Sequence, residues 1–194
     1  MTKTLPLDII AAELSRLRAT SPLVHLLTNE VVQEITANVL LAAGASPAMI
    51  VAEEEVDAFA TLSGALLINV GTLYPARLAA MKQAVAAANR AGVPWTLDPV
   101  AVGVLDYRTQ ACREFMRCKP AAIRGNASEI LALAGFDGRG RGVDTTAGSD
   151  AAVGAAVQLA RSTGAVVAVT GETDFITDGE TTWATPWGHP VMTK

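Results

Sequence analysis

Cysteine and histidine are scarce in this sequence, with two of each among 194 residues. Cys112 and Cys118 lie in one helical pattern and form no CxxC pair, and the two histidines, His25 and His189, are distant from both. A structural zinc site needs four such ligands in close spacing, so the sequence offers none. Thiols without pairing partners are typical of a reducing compartment, and we predict two free, buried cysteines in a cytoplasmic protein.

Basic clusters and long apolar runs are also missing. The 15 Lys and Arg residues against 19 Asp and Glu give a net charge of −4, and no basic stripe could follow nucleic-acid phosphates. The longest uncharged apolar stretch, 37–52, is interrupted by Gly44 and Pro47, which favours a helix, turn and strand over a membrane span. The first 20 residues contain no apolar run typical of a signal peptide. We therefore predict neither a nucleic acid nor a membrane as a partner.

Short apolar runs rich in β-branched residues alternate with longer helical patterns along the chain. We predict strands at 23–28, 48–51, 65–70, 95–97, 121–123 and 166–170, and helices at 31–43, 53–62, 75–91, 107–117, 128–134 and 149–162. This alternation predicts an α/β fold with a mainly parallel central sheet and helices on both faces. The Asp178-Gly179 turn predicts a hairpin at the edge of that sheet. The length and the 51% hydrophobic content suit one core, so residues 1–194 are predicted as a single domain.

Polar residues follow the predicted strands, at the edge where open α/β sheets bind ligands. They are Thr28 and Asn29, Asn69 with Gly71 and Thr72, Asp98 before Pro99, Arg124 with Gly125 and Asn126, and Thr170 with Gly171 and Glu172. Structural alternatives exist, since Asn126 and Glu129 have the spacing of a capping box and Asp98 before Pro99 is typical of a turn. The convergence of so many polar residues on one sheet edge favours a ligand cleft.

Several well-known enzyme motifs are absent. The sequence has no GxxxxGK[ST] phosphate loop and no GxSxG elbow, and its GRGRG segment at 138–142 lacks the strand and spacing of a dinucleotide fingerprint. What remains is a pair of carboxylates, Asp98 and Glu129, the cation Arg124, and glycines that expose backbone. Carboxylates that can hold Mg²⁺ directly or through water, beside an arginine for phosphate oxygens, favour phosphoryl transfer.

Five segments reveal a family resemblance. They read SPLVHLLTNEVVQEITANVLLAAGASPAMI at 21–50, ALLINVGTL at 65–73, WTLDPVAVG at 95–103, AAIRGNASEI at 121–130 and VVAVTGETDFITDG at 166–179. In order and spacing they resemble hydroxyethylthiazole kinase, a family with the ribokinase-like fold. The resemblance implies transfer of the γ-phosphate of ATP to the hydroxyl of 4-methyl-5-(2-hydroxyethyl)thiazole, in thiamine biosynthesis and salvage. It also implies a homotrimer with active sites between subunits.

The resemblance assigns roles to individual residues. It implies that Met49 contacts the thiazole with Asn29 nearby, and that Arg124 and Thr170 bind ATP. It implies that Asp98 and Glu129 serve the Mg²⁺ and phosphate region. Without the resemblance, a lone methionine beside a strand is typical of core filler.

The sequence departs from the family pattern at its C-terminal end. In the family, the stretch matching GHPVMTK leads into a GxGC loop, whose backbone holds the transferring phosphate and whose cysteine lies next to the reacting hydroxyl. Neither Cys112 nor Cys118 lies in that context. We therefore expect the catalytic cysteine beyond Lys194, a domain incomplete at its C-terminus, and no turnover by residues 1–194 alone.

Two other functions stay open at this point. One is a different ribokinase-like kinase, for a pyridoxal-type or hydroxymethylpyrimidine-type alcohol, in which an aspartate base stands where this family has its cysteine. The other is a catalytically inactive truncated subunit that binds ligand or assembles with full-length partners.

Overall fold

The computed structural model describes residues 2–135 and 149–187, so the GRGRG segment and His189 lie outside it. The strands are β1 (Thr2–Thr4), β2 (Leu23–Leu27), β3 (Ser46–Ala48), β4 (Ala65–Asn69), β5 (Trp95–Asp98), β6 (Ala122–Asn126), β7 (Val166–Thr170), β8 (Asp174–Thr177) and β9 (Thr182–Thr185). The helices are α1 (Leu7–Thr20), α2 (Gln33–Ala43), α3 (Glu53–Leu62), α4 (Pro75–Ala91), α5 (Asp106–Arg117), α6 (Ala127–Leu133) and α7 (Val153–Thr163). Short 3₁₀ turns at Glu30–Val32 and Ser149–Ala152 precede α2 and α7.

The described residues form two compact units, one within Pro6–Asp98 and the other within Met1–Leu5 and Pro99–Lys194. In the Pro6–Asp98 unit the strands pair in parallel in the order β5-β4-β2-β3. Their core-facing residues are at most 2% exposed and include Leu26, Leu27, Leu66, Ile68 and Leu97. Each such side chain contributes roughly 1.5–3 kcal/mol through burial, and the consecutive buried residues Leu26 and Leu27 show that both faces of this sheet are covered.

In the other unit β6 pairs in parallel with β7, and an antiparallel hairpin of β8 and β9 continues from β7. The predicted turn is confirmed: the Asp178 carboxylate accepts the Glu180 and Thr181 N–H groups at 2.9 and 2.8 Å, and Gly179 has φ 95°. The sequence did not predict β1, which pairs in parallel with β9. The predicted edge position of the hairpin is therefore wrong, because β1 and not β9 is the outermost strand on that side. The predicted α/β class with a mainly parallel sheet is confirmed.

Helix punctuation follows the sequence closely in the Pro6–Asp98 unit. Helices α3 and α4 begin and end at the predicted residues. Gly44 and Gly92 end α2 and α4 in the left-handed region, with φ 104° and 71°, where glycine avoids the steric cost of a Cβ atom. No helix in the described ranges is long and apolar enough to cross a membrane.

Several predicted bounds differ from the structure. Helices α2 and α7 begin two and four residues later than predicted, because 3₁₀ turns precede them. Strand β3 begins two residues and ends three residues earlier than predicted. It contains Pro47, which an edge strand tolerates because one side of it needs no ladder hydrogen bond. Strand β6 continues through Arg124 and Gly125 to Asn126 because those residues pair with β7. Cys112 is buried as predicted, but Cys118 is exposed because it lies at the C-cap of α5, past the buried face of that helix.

Candidate functional site

A continuous hydrogen-bonded chain of side chains joins the carboxyl ends of three neighbouring strands in the Pro6–Asp98 unit. Asn29, just after β2, donates its Nδ2 to Asn69 Oδ1 at the end of β4, at 3.1 Å. Asn69 Nδ2 donates in turn to Asp98 Oδ2 at the end of β5, at 2.7 Å. Asn69 is also opposite Asp98 in the strand register. The predicted convergence of Asn29, Asn69 and Asp98 is therefore confirmed.

Asn29 is also the N-cap of the 3₁₀ turn that leads into α2. Its Oδ1 accepts the N–H groups of Val31 and Val32 at 3.1 and 3.2 Å. Gly71 lies so close that a Cβ atom there would be 2.6 Å from Asn29 Cβ. Any side chain at position 71 would displace Asn29, so this glycine is needed for space rather than for a special φ.

Arg77, in the first turn of α4, contacts the segment around Asn29 and is only 4% exposed. Its Nη1 donates to the Thr28 carbonyl at 2.5 Å, and its Nη2 lies 3.6 Å from Glu30 Oε1. The guanidinium also lies 5.4 Å from the centroid of the Tyr74 ring. A charge buried in this way is stable only with such partners. The bond to the Thr28 carbonyl holds the backbone directly before Asn29.

Met49 lies in the irregular segment between β3 and α3, half-buried, and His25 anchors that segment. His25 is fully buried, and its Nε2 lies 2.8 Å from the Ile50 carbonyl oxygen. A carbonyl only accepts, so the neutral ring carries its proton on Nε2 and donates it. Burial lowers the pKa of His25 from its ordinary value, and the bond to Ile50 opposes this. The Phe59 ring packs edge-on against the imidazole.

A cavity of about 390 Å³ adjoins this segment, at the starts of α3 and α4. Its lining consists of Val51, Ala52, Glu53, Glu54, Tyr74, Ala76 and Arg77. Neither Met49 nor Asn29 is part of that lining, so the cavity neighbours the predicted thiazole contacts without containing them.

The other unit brings Arg124 and Thr170 onto adjacent strands. In the register of β6 and β7, Asn126 is opposite Thr170, and Thr170 Oγ1 donates to the Gly125 carbonyl at 3.4 Å. Arg124 and Asn126 are both exposed, as alternate residues of one strand face. The predicted ATP contacts are thus at neighbouring strand ends within one unit.

Glu129 has a structural role that the sequence anticipated. Asn126 Oδ1 accepts the Glu129 N–H at 3.0 Å and Glu129 Oε2 accepts the Asn126 N–H at 2.9 Å, which is a complete capping box at the start of α6. Its other oxygen, Oε1, accepts the Ala101 N–H at 3.1 Å. Ala101 has φ 60°, a strained conformation for alanine. Gly125 makes room for the carboxylate, since a Cβ atom there would lie 3.1 Å from Oε2.

The carboxylate of Glu129 could take part in holding a Mg²⁺ ion that is bound together with a nucleotide. No group of three or more His, Cys, Asp or Glu residues comes together in residues 2–135 and 149–187. Mg²⁺ is usually bound by one or two carboxylates together with waters and substrate phosphates. Glu129 keeps acceptor capacity for a metal-bound water, because each of its oxygens has about two acceptor sites and accepts one backbone N–H from the described residues.

Sequence reasoning missed the supporting residues. Arg77 is one arginine in an Ala-rich helical pattern and His25 is one histidine in an apolar strand, and neither carries a motif. The only available signal was a single titratable side chain whose neighbours in the sequence are apolar. Asn69 was recognised as a strand-end residue, but its place between Asn29 and Asp98 depends on the strand order.

Comparison with known proteins identifies the family. The model of the Hydroxyethylthiazole kinase family matches residues 14–194. A hydroxyethylthiazole kinase of Tolumonas auensis is 56% identical over 194 residues, which span 100% of this chain and 73% of that protein. One from Klebsiella pneumoniae is 60% identical over 178 residues, covering 92% of this chain and 69% of its own.

Solved structures agree with this. The hydroxyethylthiazole kinase protein of Pyrococcus horikoshii OT3 superposes with a TM-score of 0.86 at 38% identity, over 96% of this chain and 70% of that one. The pyridoxal kinase of Staphylococcus aureus, solved in complex with AMP-PCP, has a TM-score of 0.63 at 14% identity, over 84% of this chain and 70% of its own. That second likeness shows the fold alone. Because the family model matches residues 14–194 and a curated relative is 56% identical over the full 194 residues, the chain belongs to the hydroxyethylthiazole kinase family.

Proposed function

We propose that the protein acts as a hydroxyethylthiazole kinase, transferring the γ-phosphate of ATP to the hydroxyl of 4-methyl-5-(2-hydroxyethyl)thiazole. The observation that carries this proposal is the match to hydroxyethylthiazole kinases of other organisms over the full 194 residues at 56% identity. The hydrogen-bonded strand ends supply the polar groups that such a reaction needs. We place the reaction in thiamine biosynthesis and salvage, in the cytoplasm.

On the thiazole side, Asn29 and Met49 are the proposed contacts. The methionine offers a soft, polarizable wall for an aromatic ring that contains sulfur. The amide offers a directional hydrogen bond. Both lie on irregular segments that buried residues hold in place, Arg77 for Asn29 and His25 for Met49. This preorganisation supports a binding role, because little ordering entropy remains to be lost.

On the nucleotide side, Arg124 and Thr170 are the proposed ATP contacts. An exposed guanidinium at a strand end can form charge-assisted hydrogen bonds with phosphate oxygens. A threonine hydroxyl on the neighbouring strand, half-buried, can add a neutral one. The proposed Mg²⁺ would neutralise phosphate charge, and Asp98 and Glu129 are the carboxylates proposed to serve it.

We further propose that the protein is a homo-oligomer, specifically a trimer. Ile35 and Val39 lie four residues apart on α2 and are 63% and 61% exposed, and Val31 continues the stripe toward Asn29. Large apolar side chains exposed on one helix face indicate an interface. Since the stripe starts two residues after Asn29, a second copy seated on it would come close to the thiazole contact.

Equilibrium binding tests the nucleotide assignment without requiring turnover. Arg124→Ala should weaken ATP binding about tenfold or more, since a charge-assisted hydrogen bond contributes roughly 1.5–3 kcal/mol, while thiazole binding stays close to that of the parent. Titration calorimetry with each ligand measures both. Arg113→Ala, which removes an exposed arginine of α5, is the matched control and should change neither. Equal weakening of both ligands by Arg124→Ala would contradict the assignment.

A further inference from the structure

Asn69 is the middle residue of the hydrogen-bonded series Asn29–Asn69–Asp98 and is only 4% exposed. Both ends of its side-chain amide make hydrogen bonds. Its Oδ1 accepts from Asn29 Nδ2 at 3.1 Å and from the Gly71 N–H at 2.9 Å. Its Nδ2 donates to Asp98 Oδ2 at 2.7 Å. One short side chain therefore holds three different segments of the Pro6–Asp98 unit.

The orientation of this amide is set by its neighbours. A carboxylate oxygen only accepts, so Asp98 requires the NH₂ end of Asn69 to face it. The Gly71 N–H only donates, so it requires the carbonyl end on the other side. Rotating the amide by half a turn would place oxygen against carboxylate and NH₂ against N–H, losing every bond at once. Asn69 thus presents an acceptor to Asn29.

The same logic passes to Asn29. Its NH₂ must face the Asn69 oxygen, and its carbonyl oxygen must face the Val31 and Val32 N–H groups, which only donate. An Asn amide has two donor hydrogens and two acceptor sites. The described neighbours take one hydrogen and both acceptor sites, which leaves a single N–H for a ligand.

We propose that Asn69 is a positioning residue: the Val31 and Val32 N–H groups set which end of the Asn29 amide is the donor, and the bond to Asn69 Oδ1 holds that NH₂ group in place to donate to the thiazole substrate. The substrate group that Asn29 recognises is then an acceptor, either the ring nitrogen or the hydroxyl oxygen. Asp98 sets the orientation of the Asn69 amide, so its carboxylate has a second role beside the one proposed for Mg²⁺. The inference rests on the proposed function, because it takes Asn29 as a thiazole contact.

Two substrate analogues test the proposal by calorimetry. The thiophene analogue replaces the ring nitrogen by carbon, and 5-ethyl-4-methylthiazole lacks the hydroxyl. With the parent protein, one of the two should bind about threefold to tenfold more weakly than 4-methyl-5-(2-hydroxyethyl)thiazole, the effect of one neutral hydrogen bond. Asn69→Leu neither accepts from Asn29 nor donates to Asp98, so the Asn29 NH₂ group loses the bond that holds it in place. With this variant the ratio should fall toward one.

A merely structural role for Asn69 would lower the affinity for substrate and analogue alike and leave the ratio unchanged. Asn69→Ser is the second variant: it keeps a polar group but is too short to span from Asn29 to Asp98, and it carries the test if Asn69→Leu does not fold. The matched control is Asn89→Leu, which loses the bond from Trp95 Nε1 and should keep the parent ratio.

The outcomes are distinct. A parent ratio that disappears in the Asn69 variants supports the proposal. A ratio that persists in them, or a parent that binds both analogues as well as the substrate, overturns it and leaves the proposed function standing. A parent that binds no thiazole overturns both.

Discussion

His25 lies in the core of the Pro6–Asp98 unit as a neutral imidazole, with no partner for Nδ1 in the part of the chain that the structure describes. Burial lowers its pKa below the ordinary value of 6.5. The unfolded chain therefore takes up a proton at a pH where the folded chain does not. Stability from this residue is fully present above about pH 6.5 and is lost as the pH falls toward the lowered pKa.

We expect the free energy of unfolding to decrease from about pH 7.5 to about pH 5, by at most ~1.4 kcal/mol per pH unit from this histidine. Urea unfolding at several pH values measures the slope. The experiment is cleanest in a His189→Gln background, where His25 is the sole histidine. Adding His25→Gln, which keeps an N–H donor for Ile50 but does not titrate here, should flatten the slope. An identical slope in both proteins would show that His25 stays neutral when unfolded or charged when folded.

Residues at strand ends could be predicted from the sequence because a parallel sheet brings its carboxyl ends to one edge. Asn29, Asn69 and Asp98 were found in this way. Arg77 and His25 were not, because their roles depend on the backbone carbonyls of Thr28 and Ile50. Which backbone carbonyls need a side-chain partner depends on how the loop folds. The sequence of the loop does not show this.

At the scale of elements, the start of α6 is stabilised by the carboxylate of Glu129. Glu129→Ala removes the acceptor for the Asn126 N–H and for the N–H of the strained Ala101. We expect it to lower the free energy of unfolding by about 1–3 kcal/mol in metal-free buffer, since two N–H groups lose their acceptor. Chemical denaturation measures this.

Glu129→Gln keeps one acceptor oxygen and should lose about half as much. Glu172→Ala, at an exposed loop position, is the control and should stay within ~0.5 kcal/mol of the parent. If Glu129→Ala were as stable as the parent without metal, the carboxylate would have no structural role, and the capping box would contribute nothing.

Element boundaries were predictable where local signals agree. Pro75 at the start of α4 and Gly92 after its end mark that helix in the sequence as in the structure. The run at 48–51 was misplaced by two to three residues because its apolar character belongs to the loop that His25 anchors, while the paired strand includes Pro47. Strand β1 could not be predicted from the sequence, because its three residues are exposed and form no apolar pattern.

At the scale of the whole molecule, the apolar stripe on α2 predicts association of copies. We expect the parent to sediment as a species of three 20.1-kDa chains, because exposed Ile35 and Val39 would be buried between copies. Ile35→Glu places a charge in that interface and should shift the protein to monomers. Sedimentation velocity distinguishes the two species.

The control for this experiment is Leu62→Glu, at an equally apolar position on the last turn of α3 that is 75% exposed. It should leave the trimer intact. A monomeric parent, or an Ile35→Glu protein that sediments as the parent does, would contradict the proposed interface on α2.

Two expectations about the whole molecule stay predictions. One is that residues 1–194 form a single domain, and the other is that the protein is a trimer. The class of fold could be predicted because alternating strands and helices permit few architectures. Substrate choice could not be derived from the strand ends, since ribokinase-like kinases with other alcohols share the same fold, as the likeness to a pyridoxal kinase at 14% identity shows.

The measurement that tests the central claim most directly is a set of calorimetric titrations of the same protein with three alcohols. These are 4-methyl-5-(2-hydroxyethyl)thiazole, pyridoxal and the hydroxymethyl pyrimidine, each with and without ATP and Mg²⁺. We predict that the thiazole binds at least tenfold more tightly than either rival, a difference of about 1.4 kcal/mol, and that Met49→Ala reduces this preference. Tighter binding of pyridoxal or the pyrimidine would contradict the claim that this chain is a thiazole kinase.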